Sequence, residues 1–240
     1  MKKLALYIIV VILGAYFLPL HAQRKPPQAP NLINYDSKKF HFGFMIGYNH
    51  ANFAIKPMTN LNPFDSLMIV ETTPMSGFNI GIISDFHLGE HFNLRIIPEI
   101  SLIDRIITYN IKYNNSTLYQ VNKKIESVNL DIPILIKFKS IRMQNMRFYV
   151  IAGPQYSIDL ASQAKKNSLS TDVVKLKLLR SDVQAQAGAG IDMYMNLFKF
   201  AIEFKMSYGM LNLLKKEDNV YTNSIDYLRS KVFHLSFLFE

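Results

Sequence analysis

The chain has 240 residues, a formal net charge of +9 and no cysteine. Without cysteine the sequence cannot form disulfides, thiolate metal sites or a cysteine nucleophile. Its length fits one large all-β domain or two smaller domains, and its basic balance suits an anionic environment without specifying one.

The first residues have the layout of a secretory signal peptide. A basic start, Met1 to Lys3, precedes an apolar run from Leu4 to Leu20, and Ala22 is a small residue at a cleavage position. We therefore predict a signal peptide over residues 1–22. A membrane-spanning anchor is the alternative and would need about 20 apolar residues. Residues 23–39 are proline-rich, basic and without periodicity, which predicts a flexible N-terminal arm.

From residue 40 onward, bulky apolar side chains occupy every second position, with small or polar residues between them. The first such segment is FHFGFMIGYN, residues 40–49. A period of two indicates β-strands, so the pattern predicts eight strands over residues 40–240. The other seven segments, in chain order, are SGFNIGIISDFHL (76–88), HFNLRIIPEISLIDR (91–105), SVNLDIPILIKFK (127–139), RFYVIAGPQYSIDL (147–160), DVQAQAGAGIDM (182–193), FKFAIEFKMSYGM (198–210) and KVFHLSFLFE (231–240).

The connections between these segments alternate in length. The links near Gly89, residues 140–146 and Asn196 are short. Long links at one end, short turns at the other and an even number of antiparallel strands are typical of a transmembrane β-barrel. A soluble up-and-down barrel with the apolar set inward is the alternative. The long links cover residues 56–75, 110–125, 161–180 and 212–229.

Volume separates these two alternatives. The interior of an eight-stranded barrel is just wide enough to be filled by side chains. Roughly five bulky residues per strand cannot all point into that space, so the apolar set must face lipid. The fold predicted is therefore all-β, an eight-stranded antiparallel transmembrane up-and-down β-barrel over residues 40–240, in a bacterial outer membrane.

Aromatic residues sort by end, as expected for rings at the two membrane interfaces. Tyr48, Tyr156 and Tyr208 fall at the long-loop rim. Three prolines inside strands, Pro98, Pro133 and Pro154, each remove a ladder donor, which predicts local bulges. The short-turn rim is predicted to hold Phe40, Phe86, Phe92, Phe138, Phe148, Phe198 and Phe239.

Charged residues of both signs have inward parity. Because buried charges must be paired, we predict a structural charge network that fills the barrel; a proton or ion path is the alternative. The predicted network comprises Asp85, Arg95, Glu99, Arg105, Asp131, Lys137, Arg147, Asp192, Glu203 and Lys205.

No motif indicates catalysis. The six histidines show no metal-ligand spacing, and neither a nucleophile elbow nor a phosphate-binding loop is present. We predict no enzyme activity, no catalytic residues, no cofactor and no metal. A lipid-modifying barrel enzyme that uses His50 and nearby serines is the alternative.

The long loops are the more promising working surface. In the third, basic and apolar residues alternate as in a strand that continues beyond the membrane. We predict a docking edge for a partner protein; a solvated hairpin tip that touches anionic lipopolysaccharide is the alternative. The candidate residues are Lys165, Lys166, Val174, Lys175, Leu176, Lys177 and Leu178.

Several stretches carry a family resemblance. FGFMIGYNHANFAIK (42–56), ETTPMSGFNIGIISDFHLGEHFNLRIIPEISL (71–102), NLDIPILIKFK (129–139) and YVIAGPQYSIDL (149–160) together resemble the PorT family of outer-membrane β-barrel proteins. Within them, the GEHFNLR run with its following proline and the DIP, KFK and AGP runs are more specific than barrel alternation. Members of that family are associated with the type IX secretion system of Bacteroidetes, which exports cargo and serves gliding motility and surface proteases.

The resemblance implies a non-enzymatic component of that machine that acts through partner binding or assembly. Its implied partners are other type IX secretion components, besides outer-membrane lipid and lipopolysaccharide; nucleic acid is not expected. The N-terminal arm is expected in the periplasm and the long loops outside. A small barrel with a general binding or membrane-stabilising role remains an alternative.

Overall fold

The computed structural model describes residues 30–57, 67–113, 117–160, 178–215 and 225–240. The chain divides into two units, Met1–Pro30 and Asn31–Glu240, and the barrel belongs to the second. The predicted signal peptide and residues 23–29 of the arm lie outside the described residues. Within the described ranges, no helix is long and apolar enough to cross a membrane.

Nine strands form the described fold, and two of them are parts of one barrel strand. β3 and β4 are separated only by Ile97 and Pro98, and both pair with β2 and β5 in an unbroken register. The barrel therefore has eight strands, as predicted. The strands are β1 (Phe40–Pro57), β2 (Leu67–His87), β3 (Phe92–Ile96), β4 (Glu99–Tyr113), β5 (Thr117–Lys139), β6 (Met146–Asp159), β7 (Ser181–Tyr194), β8 (Lys199–Gly209) and β9 (Ile225–Phe239).

The sheet closes on itself. Every pairing is antiparallel, and β1 pairs with β2 on one side and with β9 on the other, for example Phe44 with Ile82 and with Phe239. Closure removes the free edges that a sheet cannot leave exposed to lipid. The prediction of a closed, all-antiparallel barrel is confirmed.

The two faces of the strands are those expected from the sequence. On β1, Phe42 is 67% exposed and Tyr48 is 49% exposed, whereas Met45 and Asn49 are buried in the interior. Ring pairs at the short-turn rim join neighbouring strands, as between Phe40 and Phe86 at 4.8 Å. The bulky apolar set therefore faces outward, as the volume argument requires.

Towards the long-loop end the pattern of the wall inverts. There the interior is apolar, while Lys124 on the outer face forms exposed ion pairs with Asp104 and Glu126, each at 3.0 Å. A membrane span needs about 9–11 residues per strand, and β5 has 23, so the strands continue beyond the apolar band. The interior cluster at this end comprises Phe53, Ile107, Tyr109, Leu213, Leu214, Ile225 and Leu228.

The predicted bulges at Pro98, Pro133 and Pro154 are wrong. The register is the same on both sides of each proline. Each proline removes only its own donor, and the N–H groups of Ile82 and Ile97 still reach the carbonyls of Pro98 and Pro133. No inserted residue is needed, because the ladder loses a bond without losing its spacing.

The register shifts of the described strands occur elsewhere. They lie between Pro74 and Phe78 of β2, near Leu67, and at Pro57 of β1. These positions are at or near the long-loop end, where the strands leave the closed part of the barrel.

Candidate functional site in the barrel interior

All ten charged residues predicted to point inward are buried in the structure. They occupy alternate positions on β2 to β8, so each side chain projects into the bore opposite an outward apolar neighbour. The structure brings seven of them into ion pairs and leaves three with hydrogen bonds to neutral groups.

Arg95 of β3 is the centre of the paired set. Its guanidinium donates to Asp85 through Nε at 2.9 Å and Nη2 at 2.6 Å, and to Glu203 through Nη1 at 3.1 Å. Nη2 also donates to Glu240 at 2.8 Å. The planar guanidinium offers five N–H donors, so one arginine can hold three carboxylates at once, from β2, β8 and the residue after β9. This arrangement crosses the bore.

Tyr149 of β6 lies beside this centre. Its hydroxyl donates to Glu203 at 2.8 Å, and its ring centroid is 5.5 Å from the Arg95 guanidinium carbon. The Lys137 ammonium lies 3.7 Å from the same centroid and pairs with Asp192 at 2.7 Å. The guanidinium of Arg95 and the ammonium of Lys137 therefore both lie near the ring of Tyr149.

Two further lysines complete the paired set. Lys205 pairs with Glu203 at 3.2 Å, and Lys199 pairs with Glu240 at 2.7 Å. The carboxylates of Glu203 and Glu240 are therefore each shared between Arg95 and a lysine. Sharing satisfies buried charges on β3, β8 and the end of β9 together.

Glu99, Asp131 and Arg105 are not brought into ion pairs within 4.0 Å by the described residues. Glu99 accepts from Asn79 at 2.9 Å, and Asp131 accepts from the Ser157 hydroxyl. Arg105 donates to the Ser230 hydroxyl at 2.7 Å, and its guanidinium lies 4.5 Å from the Phe53 ring centroid. The predicted network thus consists of ion-paired residues near the short-turn end and, nearer the long loops, charged residues that are hydrogen-bonded to neutral groups.

The short-turn end of the barrel is covered by residues 31–38. Tyr35 stacks on His41 at 4.0 Å and donates through its hydroxyl to Glu240 at 3.0 Å. Asp36 accepts two hydrogen bonds from Arg147, at 2.8 and 3.0 Å. The structure differs here from the expected flexible arm, because side chains of residues 31–38 dock this segment on the barrel. These residues precede the first alternating segment, so the period-two pattern gave no signal for them.

Two groups of this docked segment have shifted pKa values. Burial would raise the pKa of the Asp36 carboxyl, but the hydrogen bonds and positive charge of Arg147 outweigh it and hold that pKa below its ordinary value. Burial raises the pKa of the Tyr35 hydroxyl, and the nearby Glu240 carboxylate raises it further. Asp36 is therefore a carboxylate and Tyr35 a neutral donor at neutral pH.

Sequence reasoning missed five members of this site: Tyr35, Asp36, Tyr149, Lys199 and Glu240. Lys199 and Glu240 have inward parity, so the alternation contained the signal. Tyr149 also has inward parity, but it carries no charge that would mark it as a member of a charge network. Tyr35 and Asp36 lie outside the alternating segments, and no sequence pattern marked them.

One serine–histidine contact lies inside the bore. The Ser207 hydroxyl is 3.1 Å from His234 Nε2, and both residues are buried. Ser207 also contacts Gln155 and Gln186 rather than a carboxylate. His50, named in the enzyme alternative, is on the outward face of β1. The described residues contain no group of three or more acids and histidines arranged to hold a metal ion.

The candidate docking loop can be described only at its end. Lys165, Lys166 and residues 174–177 lie outside the described residues. Leu178 forms a β-bridge with Leu214 and packs against the apolar cluster at the long-loop end. The docking role stays a prediction.

A closed antiparallel barrel with an apolar outer band, aromatic rims and a charged interior defines the class of transmembrane β-barrels. Residues 21–215 match the family described as outer membrane protein beta-barrel domain, and the chain belongs to this family. It is therefore an outer-membrane β-barrel protein.

Two solved structures are similar to this chain. Neisserial surface protein A (NspA) is 11% identical, with a TM-score of 0.41 over 84% of this chain and 98% of that chain. The outer membrane protein OprG from Pseudomonas aeruginosa is 13% identical, with a TM-score of 0.38 over 82% of this chain and 92% of that chain. The comparison with curated proteins found no match.

Proposed function

We propose that this barrel is a non-enzymatic component of type IX protein secretion, required for cargo export and through it for surface proteases or gliding motility. It acts by binding or assembling partner proteins. The resemblance of residues 42–56, 71–102, 129–139 and 149–160 to the PorT family supports the secretion assignment. The filled bore supports the mode of action.

The bore is filled by the Arg95 centre and its neighbours. A polypeptide that passed through it would have to separate Arg95 from Asp85, Glu203 and Glu240, whose side chains are all buried. Leaving one partner of a buried ion pair unpaired costs about 3–5 kcal/mol. This cost favours a barrel that works from its ends and outer wall over a conduit.

We further propose that cleavage after Ala22 yields a mature chain whose N-terminal segment lies in the periplasm. The docking of residues 31–38 on the short-turn end supports this orientation, because short turns face the periplasm in bacterial barrels. The third loop would then face outward. Its residues 165–178 are the proposed contact for another type IX component, with lipopolysaccharide around it.

The test is a strain that lacks this gene, assayed for secreted cargo. The proposal predicts cargo trapped in the periplasm and recovery of secretion when the full chain is restored. Deleting residues 165–177 while retaining Leu178 should restore the barrel but not secretion. Normal secretion in the deletion strain would contradict the proposal, and altered lipid A with normal secretion would favour the enzyme alternative.

A further inference from the structure

A groove of about 640 Å³ lies on the outer wall of the barrel, near the short-turn end of β5 to β8. Phe138 and Phe148 form one side and Phe204 forms the other, and all three rings are about half exposed. The remaining lining residues are Ser140, Tyr149, Val150, Ala189, Gly190, Ile191 and Ile202.

The floor of the groove is formed by two small residues of β7. Ala189 faces outward between Val150 of β6 and Phe204 of β8, which are its paired neighbours. Gly190 has no side chain, and a Cβ there would collide with the Tyr149 ring behind it. Since Tyr149 is fixed by its hydrogen bond to Glu203, the interior network holds the floor in place. The groove is therefore preformed.

Small outward residues continue along the wall beyond the groove. Ala187 and Ala185 follow on the outward face of β7, and Ala152 of β6 pairs with Ala187. From Ala189 to Ala185 the distance along β7 is about 13 Å at the usual rise of a strand. The hydrocarbon core of a bilayer is about 30 Å thick, so this run of alanines is nearly as long as one leaflet is thick.

The width of the groove selects its occupant. β6 and β8 are two strand spacings apart, about 9.6 Å between backbones, and their side chains narrow the gap. A helix with side chains is about 10–12 Å wide and does not fit between them. An extended hydrocarbon chain does.

We propose that the groove binds one acyl chain of a phospholipid from the leaflet on the short-turn side and retains it in preference to the surrounding lipid. The groove is continuous with the lipid-facing wall, where Ile134, Ile136 and Phe138 of β5 are exposed. Its contents are therefore drawn from the bilayer. This site is independent of any role in secretion.

The experiment uses the absence of tryptophan from the chain. Phe148→Trp places a fluorescent reporter in the groove, and Phe42→Trp places a matched one on the outward face of β1. Each variant is folded in vesicles that mix brominated and ordinary phosphatidylglycerol, and quenching is followed as a function of the brominated fraction.

If the groove retains lipid, half-maximal quenching at Phe148→Trp should need a fraction of brominated phosphatidylglycerol at least about threefold lower than at Phe42→Trp. Quenching at Phe148→Trp should also persist longer after dilution into ordinary lipid. Adding Ala189→Phe to fill the groove should abolish both differences, whereas Val183→Phe, outward on the same strand, should not. Where Ala189→Phe fails to fold, Ala189→Leu replaces it.

Two results would overturn the inference. Identical quenching at the two reporters would mean that only ordinary boundary lipid contacts the groove. No quenching of the Phe148→Trp reporter at any brominated fraction would mean that a protein surface, not a lipid chain, covers it.

Discussion

Arg95 shows how much one side chain organises in this barrel. It is fully buried, and it joins carboxylates from β2, β8 and the end of the chain. Inward parity was enough to predict that Arg95 points into the bore. Its partner Glu240 was not predicted, because pairing across a bore depends on strand tilt and stagger, which alternation does not specify.

Replacing Arg95 with methionine tests the weight of this centre. Arg95→Met leaves three buried carboxylates without their shared cation, so we expect a loss of about 3–5 kcal/mol in the free energy of unfolding. Denaturant unfolding in lipid vesicles measures it. Lys124→Met is the matched control, because it removes an exposed ion-paired lysine, and it should leave stability unchanged. Equal effects of the two substitutions would contradict the assigned role.

Asp36 gives the docked segment a pH dependence. Its pKa is lowered in the folded chain from an ordinary value of 3.8, so its contribution to docking is complete above that value and is lost as the pH falls below it. A spin label at Ser37→Cys, in a chain without native cysteine, should therefore become mobile only in that acidic range. In Asp36→Asn the mobility of the label should no longer change in that range, because the titrating carboxyl is gone. A wild-type label whose mobility ignores acid would refute this reading.

At the scale of the element, the period-two pattern was sufficient to place every barrel strand, because a register shift of one residue would turn the apolar face inward. It failed at the prolines, where a lost donor was taken to require a bulge. The structure keeps the register there partly through Gly153. A Cβ on this residue would collide with the Ile134 carbonyl, so β5 and β6 approach closely beside Pro133 and Pro154.

A single methyl group tests that close approach. Gly153→Ala should destabilise the barrel by about 1–3 kcal/mol, the usual cost of overpacking. Gly89→Ala is the matched control, because open space surrounds the position where its Cβ would lie, and it should be neutral or slightly stabilising. Vesicle unfolding curves compare the two. If Gly153→Ala left the free energy of unfolding unchanged, β5 and β6 would not approach each other as closely as described.

At the scale of the whole molecule, the barrel has two parts. The lower part, towards the short turns, is apolar outside and charged inside. The upper part, towards the long loops, is apolar inside with ion pairs outside. Alternation and volume were enough to predict the lower part and its class. The upper part reverses the rule on the same strands, and weak alternation in the long links concealed it. The function rests on family resemblance, because no residue pattern specifies a partner.

The filled bore makes a prediction for the purified protein. In planar bilayers it should show no steady single-channel conductance, because the Arg95 centre and residues 31–38 occupy the path at the short-turn end. Asp36→Asn weakens the docking of residues 31–38 but leaves the Arg95 centre intact, so this variant should remain closed as well. Steady conductance of the wild-type chain would favour the ion-path alternative.

The most direct test of the account is affinity purification of a tagged copy from its native outer membrane in mild detergent, with mass spectrometry of what accompanies it. Other type IX secretion components should co-purify with the full chain and should be lost when residues 165–177 are deleted, while the shortened barrel remains folded. Recovery of the barrel alone, with lipid and no secretion component, would contradict it.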